Sequence, residues 1–211
     1  MDELELLKKD WKKNDGQFTQ VSENEIYGML HKSSSSIVKW IFIISIIELL
    51  LGPLLGILFS NKEYNLMLER YHIKTVILIF SVINYAVILY FIYKFYNNYK
   101  KINATDSVNH LLKNIIDTRK TVKHYITYNL SMGVVLIMIF FGAHAMYEPK
   151  IIKLINNIGE NSNTGYFVLF GIYFVVTIVV MFFIWLFYRL IYGILLRRLK
   201  HNYNELQKIE Y

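Results

Sequence analysis

The chain has 211 residues, of which 55% are hydrophobic and only 18% charged, with two prolines and no cysteine. That length suits one domain or one compact bundle, and the missing thiols exclude disulfides, zinc–thiolate sites, iron–sulfur clusters and cysteine nucleophiles within it. A net charge of +7 raises nucleic acid as a partner, but the placement of the basic residues described below fits membrane topology, so no nucleic-acid partner is expected.

The chain opens on a polar stretch. Residues 2–13 read as a short helix, with Asp2 as its cap, Glu3 and Glu5 in its first turn and Gly16 beyond its end. Leu4, Leu7 and Trp11 fall on one face of it and form a candidate docking stripe for a partner's groove. Lying on the leaflet through its lysines, or folding back on the chain's own bundle, are the alternatives. Ser22 and Glu25 make the S-x-x-E capping box of a second helix with Ile26, Met29 and Leu30 on one face. That helix either runs through Ser33–Ser36 into the apolar segment beyond or breaks at the serines. No signal peptide is expected, since the first 36 residues are polar.

Four apolar runs follow: Ile37–Phe59, Thr75–Tyr93, Ile126–Tyr147 and Tyr166–Leu196. Each reaches the roughly 20 residues needed to cross a bilayer, and none alternates as barrel strands do. Backbone groups in lipid must bond internally, so the runs are helices. The connection 94–125 carries apolar Val108, Leu111, Leu112, Ile115, Val122 and Ile126 at helical spacing after a cap at Asp106. It is expected to be a helical hairpin continuous with the spans. The fourth run is too long for the hydrocarbon, at roughly 46 Å, and must tilt or project. The outer connections read as plain loops, with a polar turn over Asn156–Gly165.

Of the 23 lysines and arginines, 18 lie in the stretch up to Lys39, the 94–125 connection and the stretch from Arg189 on. The positive-inside rule therefore puts both termini in the cytoplasm. Tyr90, Tyr93, Tyr96, Tyr99, Tyr125, Tyr128, Tyr188 and Tyr192, with Trp40 and Trp185, mark the inner boundary; Tyr64, Tyr71, Tyr147 and Tyr166 mark the outer one. All read as interfacial anchors. The expected architecture is all-α: residues 1–36 as a cytoplasmic amphipathic segment, and 37–211 as a four-helix transmembrane bundle. Its spans are about 37–59, 75–93, 126–147 and 166–190, with a cytoplasmic hairpin at 94–125 and a helical tail at 191–211.

Glu48 is the most unusual residue, a carboxylate near the middle of the first span. Counted from the span ends, Asn84 and Thr177 come at similar depth, and the three form a candidate intramembrane polar layer. Such a layer is either a proton or cation site or, as favoured here, a hydrogen-bonded pin that fixes helix register. Gly52, Pro53 and Gly56 make a GxxxG pattern with a proline inside, read as a close-packing site within the bundle rather than a dimer contact. The six histidines form no metal-ligand spacing, and no phosphate-binding loop or nucleophile elbow occurs. No metal, cofactor or catalytic residue is expected.

The segments L-E-L-L-K-K-D-W-K-K and I-Y-G-M-L-H-K-S-S-S-S-I-V-K-W resemble a family of small, uncharacterised four-pass bacterial membrane proteins. Some members of that family carry the label β-carotene monooxygenase. Carotenoid cleavage oxygenases are large propellers with a four-histidine iron, which this chain cannot build. A cytoplasmic segment ahead of a membrane anchor also resembles membrane-bound anti-sigma factors, without their zinc-type motif. The resemblances imply a non-enzymatic protein of the bacterial inner membrane. Its partners would be the lipid bilayer, a cytoplasmic protein such as a sigma factor, or a second copy of itself. The alternative is a small transporter or channel subunit built on the Glu48 layer.

Overall fold

The computed structural model describes residues 22–105, 107–158 and 162–210. The helix expected over 2–13, the stripe Leu4, Leu7 and Trp11, and the cap at Asp106 lie outside the described residues. Helix α1 (Glu23–Phe59) starts at the expected capping box: Ser22 Oγ accepts from Glu25 N at 3.3 Å, and Glu25 Oε2 accepts from Ser22 N at 2.9 Å. It continues unbroken through Ser33–Ser36 and through Pro53. Near its start it turns Tyr27 and Leu30 toward the core and leaves Met29 exposed, so the inward face is one residue off the expected one.

Helix α2 (Lys62–Arg70) is capped by Asn61, whose side-chain oxygen accepts from Tyr64 N at 2.7 Å. It ends in a left-handed turn in which His72 has φ 55°. There Ile73 N donates to Leu68 O and His72 N to Glu69 O, the paired bonds that satisfy a helix end. Helix α3 (Lys74–Asn103) carries the second apolar run well past its end. Helix α4 (Val108–Tyr147) is capped by Ser107, which accepts from His110 N at 3.4 Å. Helix α5 (Pro149–Ile158) places its proline in the first turn, where no backbone donor is missed. Helix α6 (Ser162–Glu210) has 49 residues and is about 70 Å long. The connections beyond Phe59 and Tyr147 are therefore largely helical, not plain loops. The expected turn over Asn156–Gly165 is in part the end of α5 and the start of α6.

The four long helices stand in a ring, with α1 and α4 each packed against both α3 and α6. All four are long and apolar enough to cross a membrane. At the end carrying Glu23, Asn103, Val108 and Glu210, called the terminal end, they enclose one core. Val38, Ile41, Phe95, Ile102, Leu111, Ile115, Val122, Leu199 and Leu206 have no exposed surface there. The expected stripe of α4 is this core's own: Leu111, Leu112, Ile115 and Val122 are buried, and Val108 and Ile126 pack against them.

The opposite, distal end is organised differently. Every residue of α1 from Leu50 to Phe59 is exposed, and much of α6 from Tyr166 to Phe187 is too. Two small clusters replace the single core: Leu68, Tyr71, Ile73 and Ala143 under α2, and Ala145, Ile155 and Leu169 under α5. Gly165 of α6 makes the second cluster possible, because a Cβ there would meet Ile155 O at 2.5 Å.

Candidate functional site

Glu48 is half-buried on the inward side of α1, one turn past buried Ser45 and two past Ile41. A carboxylate can accept about four hydrogen bonds, and the surrounding helices supply three hydroxyls. Tyr125 of α4 donates to Oε2 at 2.7 Å and Tyr192 of α6 to the same oxygen at 3.1 Å, while Tyr188 of α6 donates to Oε1. Tyr188 and Tyr192 are four residues apart, so one turn of helix puts both on one face. Their rings stack with centroids 5.9 Å apart. Tyr125 lies edge-on to Phe91 and Phe95, at 5.4 Å from each. The tyrosines are fully or nearly buried. The cluster joins α1, α4 and α6 through hydrogen bonds, and α3 through aromatic contact.

This differs from the expected polar layer. Among the described residues no hydrogen bond joins Glu48 to Asn84 or Thr177. Thr177 Oγ1 donates to Tyr173 O in its own helix and lines an apolar groove of about 480 Å³ between α4 and α6. Asn84 Oδ1 is buried with no hydrogen-bond partner. The reason is register. Ser34 pairs with Asn202 and Glu48 with Tyr188, fourteen residues further along each antiparallel helix. Carried on to Phe59, the same register reaches Thr177, so Thr177 stands about 16 Å distal to Glu48. Counting depth from the ends of apolar runs failed because α1 spends the first third of its run, Ile37–Ser45, inside the terminal core.

The tyrosines divide accordingly. Tyr90, Tyr93 and Tyr96 are exposed as boundary anchors should be, whereas Tyr125, Tyr188 and Tyr192 are buried ligands of Glu48, and Tyr71 is buried in the distal cluster. The i, i+4 spacing of Tyr188 and Tyr192, set against a lone carboxylate needing donors, was the available signal. The GxxxG pattern also divides. Gly52 faces Tyr85 of α3, whose hydroxyl lies 3.0 Å from where a Cβ would stand, while Gly56 has nothing within 4 Å. With Pro53 also exposed, the segment packs within the ring only at Gly52.

Further polar pairs bind the terminal end. Asn202 Nδ2 donates to Ser33 and Ser34 Oγ at 2.9 and 3.1 Å, Ser35 donates to Asn103 at 3.2 Å, and His31 Nε2 pairs with Ile102 O at 2.7 Å. The four-serine patch is thus an interhelical seam. At the distal end Tyr71 donates to Glu148 at 2.8 Å and His144 pairs with Tyr173. Burial, reinforced by Glu148, pushes the Tyr71 phenol up to about 12. Among the described residues no three His, Asp or Glu side chains come together as a metal would need.

Four helices in a ring, each long and apolar enough to cross a membrane, are the pattern of a multi-pass α-helical membrane protein. The chain belongs to the family described as a domain of unknown function (DUF8845), whose model matches residues 24–211. No curated protein and no solved structure matches it.

Proposed function

We propose that the chain is a non-enzymatic protein of the bacterial inner membrane, with both termini in the cytoplasm, whose terminal-end helices hold a cytoplasmic protein partner. One observation carries this reading: at the terminal end α3, α4 and α6 continue past their apolar runs and share with α1 a single core whose innermost side chains are fully buried. Short anchoring loops would not need such a core. In sequence the stripe Leu4, Leu7 and Trp11 precedes α1, and 18 of the 23 basic residues fall in the segment up to Lys39, the 94–125 connection and the stretch from Arg189 on. A sigma factor is one candidate partner, by the resemblance to anti-sigma factors. The alternative, transport through the Glu48 cluster, has less support, because fully buried apolar side chains such as Ile41, Ile115 and Val122 lie on the terminal side of Glu48.

Affinity purification of the intact protein from membranes, with mass spectrometry of what accompanies it, tests the proposal. A soluble protein should co-purify and be lost on replacing Leu7 and Trp11 by alanine; capture unchanged in that variant rejects the docking stripe. A reporter active only outside the cytoplasm, fused after Tyr211, should stay silent. For the transport reading, Glu48→Gln should stop flux in liposomes that the unaltered protein supports, and no flux from the unaltered protein counts against it.

A further inference from the structure

We propose that the groove between α3 and α4, where their apolar runs end, binds the headgroup of an anionic phospholipid. The groove has a volume of about 390 Å³. One wall is a stripe of α3 at helical spacing, Tyr90, Lys94, Asn97 and Lys101; the other, from α4, carries Lys120 and His124. Its position argues for lipid. The apolar run of α3 ends at Tyr93 and that of α4 begins at Ile126, so the groove opens at the depth where headgroups lie.

Its chemistry argues for an anion. Lys94, Lys101 and Lys120 are exposed, and among the described residues neither of the two ion pairs involves them. Three lysines line the groove against a single carboxylate, Asp117. The Lys94 Nζ lies over the Tyr90 ring, 5.1 Å from its centroid, which holds the charge at the mouth nearest the acyl chains. Asn97 adds an amide donor suited to phosphate or glycerol oxygens. The two walls are tied to each other: Asn98 Nδ2 donates to Thr121 Oγ1 at 3.4 Å. Basic pockets between membrane helices at the headgroup level favour anionic lipids through both charge and confinement.

The inference needs the chain to lie in a bilayer but not a protein partner, so it and the proposed function can fail separately. The test uses the full chain purified in detergent, with dioleoylphosphatidylglycerol and dioleoylphosphatidylcholine added in equal amounts and bound lipid read by native mass spectrometry. Phosphatidylglycerol should be retained in preference. The triple variant K94Q/K101Q/K120Q should lower that preference roughly 100-fold, about five-fold for each lysine. K32Q/K123Q/K200Q, which removes the same charge outside the groove, should keep it, with both variants eluting as the unaltered protein does. Equal retention of the two lipids, an undiminished preference in the groove variant, or an equal loss in the control variant overturns the proposal. Displacement of the lipid by excess inorganic phosphate would assign the groove to free phosphate and overturn the lipid assignment.

Discussion

The two ends of the ring solve different physical problems with similar side chains. At the terminal end Ile, Leu, Val and Phe residues are sealed in a continuous core; at the distal end leucines, isoleucines and phenylalanines of α1 and α6 stand more than half exposed. Beyond the apolar runs water is the solvent, and burying apolar area there contributes about 25 cal/mol per Å². Among lipid tails that drive vanishes, and helices associate through close packing and hydrogen bonds. The distal helices have few of either: Gly52 against Tyr85, Gly165 against Ile155, Tyr71 with Glu148 and His144 with Tyr173. Exposed apolar side chains are what helices long and apolar enough to cross a membrane present outward. The Glu48 cluster sits where the two regimes meet.

That contrast can be broken by substitution, and the largest effect belongs at the junction. Glu48→Ala removes the acceptor of three buried phenols, each left unsatisfied at roughly 1–3 kcal/mol. A loss of about 4 kcal/mol is expected in a reversible unfolding measurement in detergent micelles, with Glu48→Gln recovering part of it. A loss below about 1 kcal/mol would mean that the cluster does not pin the helices. Next comes the core itself. Ile115→Ala should cost about 3 kcal/mol, because it leaves a cavity in a fully buried layer. Leu54→Ala, in the exposed stretch of α1, should stay within about 0.5 kcal/mol. Equal effects at the two sites would erase the distinction between the ends.

The distal packing is tested by a smaller step. Gly165→Ala forces a methyl against a backbone oxygen and should destabilise by about 1–3 kcal/mol. Gly56→Ala, facing open space, should be neutral or slightly stabilising. The last expected effect is a pH dependence. The Tyr71 phenol is held above its ordinary value of 10, at about 12, so the folded form keeps this proton more tightly than the unfolded one does. Its contribution is present in full below pH 10 and is lost as pH rises from 10 through 12. Ultraviolet titration should include a phenol ionising at about 12, and Tyr71→Phe should remove that step. Ionisation of all tyrosines near pH 10 would contradict the burial.

Much of the fold was legible because local rules decide it. Run length and the lack of alternation specify four apolar helices whatever their neighbours do. The S-x-x-E box places the start of α1, and the spacing of Leu111, Leu112, Ile115 and Val122 assigns the inward face of α4. The candidate site was legible only as Glu48 itself. Its partners depend on the axial offset of α1 against α6, and no local pattern encodes offset: apolar residues look alike whether they meet lipid or a protein core. Hence Asn84 and Thr177 were the wrong companions, Tyr125, Tyr188 and Tyr192 read as boundary anchors, and the serine patch gave no hint of Asn202 and Asn103 across from it. The sequence by itself determined the helices, their apolar lengths and the clustering of charge, since these follow from composition along one axis. The tertiary structure alone decided which polar groups meet, because that rests on the sliding of one long helix along another until a buried carboxylate finds its donors.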